Sequence, residues 1–183
     1  MVNEINKLMI ALRNYDLEIY RHSTSVSYIA SRIAYYLGLQ DKDISIITKA
    51  ALLHDIGKVK IDKSILSKKE RLTSREWSII KRHPESGVLM LKPYLWAKEL
   101  LVLILYHHER WDGKGYFGIE ANDIPLGARI IAVADAFDAM RTSRPYKKGK
   151  EWDESLSEIE RYSGMQFDPY LTERIIQLAY LIF

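Results

Sequence analysis

Apolar residues recur three and four positions apart along almost the whole chain, and no stretch sustains period-two alternation, so the pattern predicts an all-α protein. A first helix is expected from about Asn3 to Leu37, with Val26, Ile29, Ile33 and Leu37 on one face and Gly38 as its stop. Asp41 or Asp43 is placed to cap a second helix that carries Ile44, Ile47, Ala51 and His54 and ends near Gly57. Thr73 and Glu76 form a capping box for a helix through Trp77 and Ile80 to His83, where Pro84 either breaks the chain or opens the next helix. The run from Lys98 to His108 is apolar nearly all round and reads as a buried central helix. After a loop with Gly113, Gly115 and Gly118, Pro125 starts a helix to Met140 whose Ala128, Ala132, Ala136 and Ala139 allow close helix contact. Asp168 and Pro169 open a last helix ending at Phe183.

At 183 residues and 48% hydrophobic, the chain suits one domain over 1–183, with about 1–17 as a short helical extension. Charged residues at 28% and aromatics at 11% exclude collagen-like and disordered classes. A net charge of +3 is too small to announce nucleic acid or an anionic membrane as partner. Its distribution says more. Nine basic residues between Lys58 and Arg82 face only Asp62, Glu70 and Glu76, and Arg141 to Lys150 holds five with no acid. These stretches sum to +11 and leave the rest at −8, which suits an anionic small molecule bound between them, against the alternative of solvated surface lysines. With no cysteine, disulfides and thiolate metal sites are excluded, so any metal must use nitrogen and oxygen donors. No secretory pattern opens the chain and no apolar run could span a bilayer, so a cytoplasmic protein is expected. The apolar tail Ile175 to Phe183 suits internal packing or a second copy of the chain, a homodimer.

The five histidines, His22, His54, His83, His107 and His108, each stand beside an acid or at an expected helix end. Glu18 and His22 lie one turn apart on a face continuous with Val26, and so point inward. Asp135 interrupts an Ala-rich helix, where an unpaired carboxylate would cost several kcal/mol, so it needs a partner: a cation, or else Arg129 or Arg141. Imidazole and carboxylate without sulfur suit Fe, Mn, Zn, Ni or Co, and the donors outnumber what one ion can hold. Two or three divalent ions are therefore expected, with Asp55 able to bridge a pair that activates water for phosphoryl displacement. Asp138 is expected to orient a histidine, and Trp111 to pack rather than stack on a base.

The order His22, then His54-Asp55-Ile56-Gly57-Lys58, then Asp135 resembles the HD-domain metal phosphohydrolases. His83-Pro84-Glu85-Ser86-Gly87, the run His107 to Tyr116, Ile124 to Arg129 and Ala134 to Ala139 narrow the likeness to the HD-GYP subfamily. Arg144-Pro145-Tyr146-Lys147 and Gln166-Phe167-Asp168-Pro169 continue it, so that it covers roughly His22 to Ile176. The resemblance implies an all-α HD-type bundle and a phosphodiesterase that opens cyclic di-GMP to pGpG or GMP, with a metal-bridging hydroxide at a two- or three-ion iron or manganese centre. The implied metal ligands are His22, His54, Asp55, His83, His107, His108 and Asp135, with Glu18 as the extra carboxylate of the three-metal version. Asp55 and Lys58 are implied at the reacting phosphate, Arg144 and Lys147 on the other phosphates, and Tyr116 in the guanine or ribose pocket. Phe117 departs from the pattern, which has proline there, and the following stretch to Pro125 is about one residue short. Contacts with diguanylate cyclase domains, which the resemblance implies for this loop, and the dinucleotide preferred both depend on that change. Another nucleotide or cyclic dinucleotide such as cyclic GMP-AMP, or a metal-bearing signalling module without turnover, are the alternative functions.

Overall fold

The chain does not run straight from its first helix into the second, as the apolar spacing predicts. In the computed structural model, which describes residues 1–143 and 148–183, α1 (Val2–Tyr15) ends at Asp16, which is extended at φ −154° and ψ 118°. The Asp16 carboxylate accepts the amides of Glu18 and Ile19 and so caps α2 (Leu17–Tyr36). Capping satisfies donors that a continuous helix would have used internally, which is why one acid divides an otherwise unbroken apolar stripe. Ile5, Met9 and Leu12 bury the inner face of α1, each contributing about 2 kcal/mol through apolar area removed from water.

At the other end of α2 the expected stop is present. Gly38 has φ +76°, and the amides of Gly38 and Leu39 reach back to the carbonyls of Tyr35 and Ala34, closing a Schellman turn. Next comes α3 (Asp41–Leu53), whose N-cap is Gln40 rather than Asp41 or Asp43; both acids lie instead in the first turn, where they complement the helix dipole. It also stops before the expected Gly57. His54 and Asp55 follow, and Ile56–Lys60 is a 3-10 turn. Gly57 explains the tight turn: a Cβ there would lie 2.0 Å from the His83 carbonyl oxygen and 2.5 Å from the Gly87 amide nitrogen. Only glycine lets this turn approach the next helices.

The short α4 (Lys63–Leu66) leads to α5 (Ser74–Ile80), capped by the Thr73–Glu76 box that the sequence predicts. Pro84 sits in the first turn of α6 (His83–Leu91). The central apolar run is less regular than expected: only Leu101–Tyr106 forms a helix, α7. Ala97, Lys98 and Leu100 each bond to the carbonyl three residues back, so the preceding segment is wound more tightly than an α-helix. With Pro125 at its N-cap, α8 (Leu126–Arg141) precedes α9 (Trp152–Arg161), α10 (Pro169–Gln177) behind its Asp168 cap, and α11 (Ala179–Ile182).

Among the described residues there is no β-sheet, only one bridge between Ser163 and Phe167. The fold is all-α. Between α3 and α8 lies α2, while α6 packs on the Ile56–Lys60 turn and on α7; one apolar core runs from Ile5 to Ile182. The C-terminal tail packs internally, Phe183 stacking on Phe137 at 3.8 Å and Arg32 donating to the carbonyls of Leu181 and Ile182. No helix among the described residues is long and apolar enough to cross a membrane.

Candidate metal centre

Three histidines are oriented by one local device. His54 follows α3, His83 follows α5 and His107 follows α7, and each Nδ1 lies on the carbonyl three residues back, Ala51 at 2.7 Å, Ile80 at 2.8 Å and Ile104 at 2.6 Å. A carbonyl only accepts, so each ring, when neutral, carries its proton on Nδ1 and leaves the Nε2 lone pair bare. These carbonyls belong to the last turns of helices, which lack intrahelical donors and carry the negative end of the helix dipole. Local backbone thus fixes tautomer, ring orientation and a field that favours a cation.

Two of those bare nitrogens, of His54 and His83, together with His22 Nε2, lie around Asp55, which is buried just beyond α3. His83 Nε2 is 3.3 Å from Asp55 Oδ1, and His54 Nε2 is 3.5 Å and His22 Nε2 3.9 Å from Oδ2. His83 Nε2 and His107 Nε2 stand 3.3 Å apart. Two lone pairs facing at that distance repel unless a cation lies near both. His54 Nε2 and Asp55 Oδ1 are buried without a hydrogen-bond partner. Such orphaned atoms are costly in a protein interior and are what a metal ligand set needs. Donor atoms of His22, His54 and Asp55 lie within 4.8 Å of one another, as do those of His83, His107 and His108, so each group can hold a divalent metal.

His22, on α2, is held differently. Its Nδ1 meets Asp138 Oδ2 at 2.6 Å and its Nε2 meets Asp135 Oδ1 at 2.9 Å, both from α8. Ser25 and Thr142 also bond Asp138. Burial opposes charge on His22, but the two carboxylates outweigh it and raise its pKa to about 10. Burial likewise opposes ionisation of Asp55 and Asp135, yet Lys58 holds the first, and His22 the second, well below the usual carboxylate range. Burial pushes His83 down to about 3 and also lowers His107 and His108, so these rings are neutral. The partner of Asp135 is therefore His22, with His108 Nδ1 at 4.0 Å, and not an arginine; Arg129 pairs instead with Asp168 at 2.6 Å.

Lys58 Nζ lies 2.5 Å from Asp55 Oδ2 and stays partly exposed, at the mouth of the cluster. The Tyr116 ring is 4.6 Å from His108 and 6.4 Å from His83, and burial pushes its hydroxyl up to about 12, so it is a neutral donor. Glu18 is exposed on α2 and lies outside both donor groups. Arg144 and Lys147 fall outside the described residues. Trp111 lies over the Arg129 guanidinium at 5.6 Å, a packing role. Sequence reasoning left two supports unassigned. Ser25 sits one turn after His22, a spacing that could have flagged it, and Glu109 joins its neighbouring loop through backbone amides that no spacing reveals.

The model of the HD domain matches residues 5–171. A cyclic di-GMP phosphodiesterase of Thermotoga maritima is 39% identical over 181 residues, covering 96% of this chain and 49% of its own length. The cyclic di-GMP phosphodiesterase response regulator RpfG of Xanthomonas campestris pv. campestris is 39% identical over 155 residues, covering 83% of this chain and 41% of its own. This chain thus spans half or less of these curated relatives. The solved structure of a cyclic GMP-AMP specific phosphodiesterase of V. cholerae superposes with TM-score 0.71 at 20% identity, over 96% of this chain and 48% of that one, which supports the fold. With the helical architecture, the ordered ligand motifs and the family model in agreement, the chain belongs to the HD-domain family.

Proposed function

We propose that this chain is the hydrolytic part of a metal-dependent phosphodiesterase that opens cyclic di-GMP to pGpG or GMP. The observation that carries the reading is the buried cluster of His54, His83 and His107 Nε2 atoms beside Asp55, whose Oδ1 has no hydrogen-bond partner. Each donor group would hold one ion, iron or manganese suiting this nitrogen and oxygen set, with Asp55 supplying a carboxylate ligand. Glu18 would complete a third site only by turning in from the surface. When bound, such ions supply an activated water and a sink for phosphoryl charge.

The chain's own residues do the rest. Asp138 holds His22 in one orientation, and helix carbonyls hold three other rings, so the donors are preorganised. Lys58, at the mouth beside Asp55, neutralises charge on the phosphoryl oxygens in the transition state. Tyr116 offers a neutral hydroxyl and a ring face to the nucleoside end. Arg144 and Lys147 grip the remaining phosphates, as the family motif implies.

The test is product analysis of purified protein loaded with manganese, or with iron under anaerobic conditions, and given cyclic di-GMP. Formation of pGpG or GMP, lost in Asp55→Ala, supports the proposal. Turnover of cyclic GMP-AMP but not of cyclic di-GMP would favour the second reading, for which the observations are Phe117 in the rim loop and the likeness to the V. cholerae enzyme. Tight binding of dinucleotide without product under either metal would overturn both and leave a signalling module.

A further inference from the structure

The loop that brings Tyr116 to the metal centre is folded around a buried side chain outside the ligand set. Glu109 directly follows His108 and is only 4% exposed. Its Oε1 accepts the Phe117 amide at 2.7 Å and its Oε2 accepts the Ile119 amide at 2.7 Å. Gly115 completes the wrap: a Cβ there would lie 2.6 Å from the Glu109 Cα and 2.8 Å from its Cδ. Residues 115–119 therefore enclose one carboxylate, and Tyr116 is the side chain this curve presents to His108 at 4.6 Å. Adjacent residues divide the work. His108 faces the metal centre and Glu109 faces the loop.

Phe117 acquires a meaning from this contact. The bond to Oε1 uses the Phe117 amide hydrogen, which a proline at that position would lack. Phe117 supplies that donor and lays its ring edge-on against Tyr106 at 5.8 Å, at the end of the helix that precedes His107 and His108. Phe117 thus ties the loop back by two contacts, its amide to Glu109 and its ring to Tyr106.

We infer that Glu109 is the positioning residue that sets Tyr116 over His108 through the amides of Phe117 and Ile119, with Phe117 supplying one of the two donors of this clamp. The catalytic consequence rests on the proposed dinucleotide reading; the clamp itself does not. Hydrogen exchange and kinetics therefore test them separately, on the metal-loaded full chain. In Glu109→Gln one acceptor becomes a donor facing an amide, and in Phe117→Pro one donor is removed. Both variants are expected to speed exchange of the Ile119 amide at least about tenfold, as local opening becomes easier. Phe117→Ala keeps the amide and should speed it less than Phe117→Pro does. With cyclic di-GMP, Glu109→Gln and Phe117→Pro should raise KM more than they lower kcat, and reduce kcat/KM by about tenfold, the scale of a small misplacement of a binding group. The loss on bis(p-nitrophenyl) phosphate, which has no nucleoside to engage Tyr116, should be smaller, with metal content per chain as in the parent. Ile119 exchange unchanged in both variants would overturn the clamp. Equal losses on the two substrates, or loss of metal in parallel with activity, would overturn the positioning role. Should the parent chain hydrolyse no cyclic dinucleotide, the proposed function fails while the exchange measurement still decides the clamp.

Discussion

The two sides of the metal centre are built by different means. On the α3, α5 and α7 side, His54, His83 and His107 are oriented by carbonyls three residues away in sequence, and burial keeps His83 and His107 neutral. On the α2 and α8 side, His22 is oriented by Asp138 and Asp135, more than a hundred residues away, and holds a raised pKa of about 10. The first side needs only correct helix ends; the second needs two helices correctly packed. Ligands tied to local backbone tolerate small shifts between helices. A ligand tied across helices transmits them.

Substitution of Asp55, which touches both sides, should erase the distinction altogether. Asp55→Asn is expected to lose metal from both donor groups and to bring hydrolysis to background, measured by elemental analysis and product formation. Retention of one ion would show that the two sides load independently. Gly57→Ala should strike the backbone-anchored side alone, because its Cβ would collide with the His83 carbonyl and the Gly87 amide. We expect a loss of about 3 kcal/mol in denaturant unfolding, the cost of overpacking against backbone that cannot give way. Asp138→Asn should strike only His22. A metal titration should show affinity falling by about 10- to 100-fold, the usual effect of removing a carboxylate behind a ligating histidine.

The smallest effect is expected at Thr73→Ala, at the far end of the helix that supplies the Ile80 carbonyl. Loss of this cap should cost about 1 kcal/mol in unfolding free energy while leaving metal content unchanged. The same cap sharpens the comparison through pH. Lys68 and the Thr73 amide and hydroxyl lower Glu76 from 4.5 to about 2. A depressed folded value means that the stabilisation is complete above pH 4.5 and is lost as pH falls toward 2, and Glu76→Gln should flatten that part of the acid unfolding curve.

How much of this was legible depends on the range of the interaction. The Thr73 box, the Gly38 stop, Pro84 in a first turn and the Asp168 cap were readable because their causes lie within four residues. The Asp16 break was not, since the apolar stripe continues across it and only the side-chain cap distinguishes two helices from one. The winding before Leu101 was missed because an all-apolar run carries no phase from which to tell three-residue from four-residue bonding. At the site, His22, His54, Asp55, His83, His107, His108 and Asp135 were named because the motifs that hold them resemble those of a known family, and Asp138 was expected behind a histidine. The partner of Asp135 was left between a cation and two arginines; the fold sets it beside His22 and pairs Arg129 with Asp168 instead.

The sequence by itself determined which donors exist, that none carries sulfur, and which stand at helix ends, because residue type and local spacing settle those properties before any packing occurs. Tertiary structure alone decided that the Nε2 atoms of His54 and His83 face Asp55, that Glu18 lies outside, and that Glu109 turns away to hold the rim loop. The physical reason is that a side chain's direction relative to a distant helix depends on how two helices settle against one core. That settling is a property of all the buried residues together, and of none of them singly.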